Sequence, residues 1–167
     1  MILTWQITTA IEASIIEHLR NEVMAHSLQL LDCNGVAKTV NVYAGRELNN
    51  EWAMPLLQIY ADSKPDANRL EIGSNKRLRS FQVIIDVRTL LPGQETNLAD
   101  WVEEKINDGI TIYSYLPNSS NPDAPAKSIL GHGRVDFISS LPVLGYDDAD
   151  VVDQNRYRIT IKVWING

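Results

Sequence analysis

A single cysteine, Cys33, cannot close a disulfide within the chain. A disulfide framework is thereby excluded, and a reducing compartment at synthesis is the expectation. Such a lone thiol is expected to be buried and inert. No apolar run approaches the ~20 residues that span a bilayer. The opening MILTWQITTAIE has no basic segment and reaches Glu12 early, unlike a secretory leader. A soluble protein, intracellular at synthesis and without a membrane partner, is the expectation. Only three histidines are present, His18, His26 and His132, and they are scattered. With one cysteine they fall short of a zinc ligand set. The G-x-x-x-x-G-K-[ST], G-x-G-x-x-G and G-x-S-x-G motifs are all missing. No catalytic group, metal or cofactor is therefore expected. A net charge of −6 argues against a surface given over to nucleic acid.

What remains is an ordinary globular composition, 44% hydrophobic and 22% charged over 167 residues. That length suits one domain, 1–167, with its own core. Ile11, Ile15, Leu19 and Val23 recur every four residues and predict a helix from about 8 to about 31. Thr9 and Glu12 have capping-box spacing at its start, and Asn34-Gly35 offers a stop. VNVY (40–43) and PLLQIYA (55–61) predict short strands, with polar loops at 45–54 and 62–68. From Phe81 to Thr89 the chain alternates: Phe81, Val83, Ile85 and Val87 share one face, while Gln82, Asp86 and Arg88 share the other with Ile84. This predicts a long strand in a sheet with one covered face. TNLADWVEEKIN predicts a second helix, capped by Thr96 or Asn97 and ended by Gly109. Glu103 and Glu104 are ordinary surface carboxylates on it. ITIYSYL (110–116), GHGRVDFISSL (131–141) and RYRITIKVWING (from 156) predict three more strands, with an exposed proline-rich loop at 116–128. On the last of them, Tyr157, Ile159, Ile161, Val163 and Ile165 share one face; Arg156, Arg158, Thr160, Lys162 and Trp164 share the other. Between 131 and 141, Val135, Phe137 and Ser139 are expected opposite Arg134, Asp136 and Ile138. The elements together predict an α+β fold, a mostly antiparallel sheet with two helices packed on one face.

Two charged stretches stand out in this acidic chain. Lys76, Arg77 and Arg79 sit in a predicted basic loop, 74–79, before the long strand. Solvated charge, docking to an acidic surface of another subunit, and contact with a phosphate backbone all fit it. Asp147, Asp148, Asp150 and Asp153 make an acidic loop that lacks the EF-hand spacing. In GHGR (131–134) the glycines serve the turn into a strand, and His132 with Arg134 could also meet an anion. Ile84, Ile138 and Trp164 on the polar parity are candidate exposed apolar patches.

The phrases PLLQIYADSKPDA, EIGSNKRLRSFQVIIDVRT, LADWVEEKI, ITIYSYL, GRVDFISS and RYRITIKVWI, in this order and spacing, cover nearly the whole chain. So read, the sequence resembles the tail terminator (tail completion) proteins of long-tailed bacteriophages, with head–tail joining proteins close behind. The parts that carry the resemblance most are Arg79 to Val87, the helix start Leu98-Ala99-Asp100, and Arg156-Tyr157-Arg158. The longer 116–128 loop departs from the family's compact pattern. The resemblance implies a structural virion protein of the tail or neck, assembled in the host cytoplasm, without catalysis or cofactor. It implies a ring of identical subunits, commonly a hexamer, that caps the tail tube protein and meets the head–tail connector or neck protein. DNA would pass through without sequence-specific binding. In such a ring Lys76, Arg77, Arg79, Asp147, Asp148, Asp150 and Trp164 are the expected subunit or ring contacts, the two loops of opposite sign setting register. A head-completion or neck adaptor is the alternative within that class. A small enzyme holding a phosphorylated ligand between Arg77, His132 and Arg134 is the alternative outside it.

Overall fold

The computed structural model describes residues 4–49, 51–61, 66–69, 77–116, 126–143 and 155–166. The chain runs α1 (Thr4–Ala25), β1 (Gln29–Leu31), β2 (Ala37–Thr39), β3 (Asn41–Ala44), β4 (Leu56–Ala61), β5 (Asp66–Arg69), β6 (Arg77–Arg88), α2 (Gln94–Ile106), β7 (Ile110–Leu116), β8 (Ala126–Val143) and β9 (Arg156–Asn166). β1 and β2 form a separate hairpin. The other strands form one strongly curled sheet in the order β3-β4-β6-β9-β8-β7, with β5 beside the first half of β6. Every pairing is antiparallel except β3 with β4. The expected α+β architecture is the one observed.

The long alternations decide which face is covered. Phe81, Val83, Ile85 and Val87 of β6 stand beside Val163, Ile161 and Ile159 of β9 and Leu57 and Ile59 of β4. Onto this face pack Ile11, Ile15, Leu19 and Val23 of α1, and Leu98, Val102 and Ile106 of α2, in one continuous core. Each such side chain contributes ~1.5–3 kcal/mol on burial. Both helices thus cover the same face.

α1 does more than fill the core. It packs against β3, β4 and β7, and β3 and β7 are the two ends of the sheet. Its polar side chains bond to strand backbone there. The Ser14 hydroxyl accepts from the Tyr113 N–H at 2.9 Å and donates to the Ala10 carbonyl. Arg20 donates twice to the Val42 carbonyl, at 2.7 and 3.1 Å. Glu12 accepts from the Ala61 N–H at 2.6 Å. An edge strand presents unpaired backbone groups, and α1 satisfies one at each margin of the curled sheet.

Several boundaries differ from expectation. α1 begins before Thr9, so Thr9 and Glu12 lie inside the helix and make no capping box; Glu12 reaches β4 instead. The helix ends at Ala25 rather than 31. Ser27 takes a positive φ of 48°, the Leu28 N–H reaches the Val23 carbonyl, and the Ser27 N–H reaches Met24. This is a Schellman end, built on serine where glycine is usual. Asn34-Gly35 then turns the β1–β2 hairpin, with Asp32 accepting from Asn34 and Val36. Cys33 sits exposed in that turn, not buried. α2 starts at Gln94, and its N-cap is a left-handed Gly93 with no side-chain cap, about one turn before the expected Thr96 or Asn97. Gly109 at φ 88° follows α2 as expected.

β8 is longer than the expected 131–141 and takes in Ala126 to Ser128, which the sequence assigns to the proline-rich loop. Its first half pairs with β7 and its second with β9. Gly133 lies at the handover, where an added Cβ would come within 2.9 Å of Val163 and 3.3 Å of Ile112. A bulge between Phe137 and Ser139 takes Ile138 out of register. Ser139 therefore joins the outer face beside Thr160, and Ser140 turns inward, contrary to the simple alternation.

Ser14→Ala leaves the half-buried Tyr113 N–H without its acceptor and is expected to cost about 0.5–1.5 kcal/mol. Urea denaturation measures it, and a neutral substitution would contradict the role assigned to Ser14.

Candidate functional site: the outer sheet face and the β8 edge

The even-numbered residues of β6 and β9 build the face opposite the helices. Register sets them in rows across the strands: Leu56, Arg88, Arg156, Val143; then Gln58, Asp86, Arg158, Leu141; then Tyr60, Ile84, Thr160, Ser139. Sequence alternation assigns Ile84, Asp86, Arg88, Arg156, Arg158 and Thr160 to this face correctly, but sets Ser139 on the other. It also predicts that the face is open, and there it fails. Leu56, Gln58, Tyr60, Ile84, Asp86, Arg88 and Thr160 are all buried. Ile84, expected as an exposed patch, is 7% exposed. The loop after β3 accounts for part of this cover, since Gln58 donates to the carbonyls of Gly45 and Arg46, and the Arg46 guanidinium lies over the Tyr60 ring.

Asp86 is the electrostatic centre of the face. Arg158 holds it through Nε at 2.7 Å and Nη2 at 3.0 Å, and Arg156 through Nη2 at 2.5 Å. Burial pushes the carboxyl up, but the hydrogen bonds and charges of Arg158 and Arg156 outweigh it and hold its pKa below the usual aspartate value. The signal for this cluster is in the sequence: one acid on the polar parity of β6, opposite the first two arginines of β9. Alternation alone does not say that they meet.

Toward β8 the face opens. Arg134 is 75% exposed and pairs with Asp136. Lys162 lies over the Trp164 ring, 5.1 Å from its centre. Trp164 itself is half-buried, flanked by Ser80 and Arg134. Beyond it β8 carries a line of exposed apolar side chains: Ile129 at 70%, Phe137 at 37%, Ile138 at 53% and Leu141 at 61%. Among the described residues, the second half of β8 pairs with a strand on one side only. Sequence alternation finds Ile138 and sets Phe137 with Val135 on the opposite parity, as the register does, but does not single out Leu141, because the bulge is invisible to it.

The other expected contact residues are placed as follows. Arg77 and Arg79 belong to β6 rather than to a loop, with Arg77 opposite Arg69 and Arg79 opposite Ala67 and Ile165. Arg79 is half-buried. Lys76, and the acidic Asp147, Asp148, Asp150 and Asp153, lie outside the described residues.

The histidines, which share no partner in the sequence reading, each have one. His18 Nε2 meets the Lys105 carbonyl at 2.8 Å, His26 pairs with Glu22 at 3.3 Å, and His132 Nε2 meets the Asp108 carbonyl at 3.2 Å. His132 and His18 border a polar cleft of about 210 Å³ with Ser14, Glu17 and Tyr113; Arg134 does not line it. Glu17 accepts from Lys127, which also lines the cleft, and from the Tyr115 hydroxyl. Burial, with Glu17 beside it, pushes the Tyr115 phenol up to about 12. Glu103, read as a plain surface carboxylate, accepts from the Ser140 hydroxyl. Among the described residues no His, Cys, Asp and Glu cluster could hold a metal ion, and no helix is long and apolar enough to cross a membrane.

No protein-family model and no curated protein matches the chain.

Asp86→Asn leaves two arginines on a neutral group and is expected to cost about 3–5 kcal/mol at neutral pH. The folded pKa is depressed, so the stabilisation is full above the ordinary aspartate range and disappears as pH falls through the folded value. Denaturant curves from pH 7 to pH 3 should show the wild-type advantage shrinking in acid. A gap between the two proteins that stays constant over that range would contradict the assignment.

Proposed function

We propose that this chain is a structural virion protein, a tail terminator that closes into a ring on the end of a phage tail tube and meets the head connector. The observation that carries the reading is the exposed apolar line Ile129, Phe137, Ile138 and Leu141 on β8. Single exposed hydrophobes are ordinary. Phe137, Ile138 and Leu141 flank the strand margin left open, among the described residues, in the half of β8 that pairs with β9, and association would cover that margin. A contact between this surface and a different surface of an identical subunit is heterologous, and heterologous contacts that close by rotation make rings. The order and spacing of the quoted phrases supply the choice of family. Cofactor-free assembly chemistry, with the ring's own copies, the tube protein and the connector as partners, is what the reading requires.

The purified protein is expected to form rings, in solution or on the ends of purified tails, visible by light scattering and negative-stain imaging. In its absence, tails of uncontrolled length should accumulate. Finished tails beside unjoined heads would assign it to the neck instead, and a monomer that ignores tube ends would remove the proposal.

A further inference from the structure

The two layers of the molecule carry opposite charge on their outward surfaces. On the sheet side, the open part of the outer face presents Arg134, Arg158 and Lys162 against the single carboxylate of Asp136, with Leu141 and Ile138 beside them. Asp86 lies beneath, held by Arg156 and Arg158. On the helix side, α2 buries Leu98, Ala99, Val102 and Ile106. Asp100 and Glu104 are exposed one turn apart, and Asp108 is exposed just beyond the helix end. Lys105 is the one base of α2, and its ammonium is shared between Glu22 at 3.7 Å and Glu104 at 3.9 Å. Like charges one turn apart destabilise a helix, and carboxylates at its C-terminal end oppose the helix dipole. A cationic surface seated there relieves both.

We infer that the β8–β9 part of the outer sheet face docks onto α2 of a second copy of this chain, Arg134 and Lys162 meeting Asp100 and Glu104 around an apolar centre at Leu141 and Ile138. The inference rests on the ring reading and names its contact. The occupant is chosen by charge complementarity: the same chain offers the acidic helix on the layer opposite the basic face. The two surfaces differ and lie on opposite sides of one sheet, so the contact is head-to-tail, the kind that propagates into a ring. A nucleic acid would be the other anionic occupant, but the net charge of −6 opposes its approach. Charges of this kind set register and association rate, while the apolar centre supplies area.

The test is a charge swap. Arg134→Glu with Lys162→Glu makes one variant, and Asp100→Lys with Glu104→Lys the other. Assembly is read by light scattering and negative stain with purified tails present, after melting curves show each variant folded. Wild type should assemble, each variant alone should lose assembly, and an equimolar mixture should regain it as an alternating ring. Should the first variant unfold, Arg134→Gln with Lys162→Gln replaces it, and reduced assembly with a flattened salt dependence is expected. If wild type assembles and both reversals assemble equally well, the ring stands and this contact falls. If wild type does not assemble at all, the ring reading falls and the contact with it. Binding of random-sequence duplex DNA that Arg134→Glu with Lys162→Glu abolishes, without recovery of assembly on mixing, would give the face to phosphate and overturn the inference.

Discussion

The hydrogen bonds from α1 to the margins of the sheet are the constraint on which the rest depends. A curled sheet of this kind ends in two edges, and each edge strand has a row of backbone groups that need partners. α1 brings an apolar stripe into the curl and, from the same helix, Ser14 to one edge and Arg20 to the other. Glu12 adds the end of β4. The helix thereby fixes how far the sheet curls, because the two strands it bonds must both lie within side-chain reach of one cylinder about 10 Å across. The hydrophobic contacts alone would permit sliding; the directional bonds do not.

Beyond the two tied margins, β8 leaves one further stretch open among the described residues. β8 is shared between β7 and β9, and after Gly133 it leaves β7 behind. Its second half keeps a free side among the described residues, and its bulge turns Ile138 and Leu141 outward. Further across the outer face, Asp86 fixes the direction of two arginines through their planar forks. A pre-ordered charged surface beside an apolar strand edge loses little entropy on docking. The proposed head-to-tail ring follows from these features together, with α2 as the complementary surface.

Much of the fold was legible in the sequence. The alternation from Phe81 to Thr89 and the terminal alternation from Tyr157 to Ile165 identify the two central strands and their covered face. The four-residue recurrence of Ile11, Ile15, Leu19 and Val23 identifies α1. What escaped were features without a local pattern. Ser27 ends α1 in a conformation usually given to glycine, so the helix was read too long. The β8 bulge breaks alternation by one residue and hides Leu141. The extension of β6 back to Arg77 turned a basic loop into part of a strand. The cover over Gln58, Asp86 and Arg88 is made by segments distant in sequence, and no period within β6 could announce it. Of the site, the residue types were visible and their meeting was not. Asp86, Arg156 and Arg158 are 70 and 72 positions apart in the chain.

Amide hydrogen exchange of the monomer, resolved by residue, tests the closure by α1 most directly. The Tyr113 and Ala61 N–H groups, held by Ser14 and Glu12, are expected to exchange only with global unfolding, at the rate of core amides in β6. Exchange at the rate of an unprotected edge strand for these two, in a protein whose β6 amides remain slow, would contradict it.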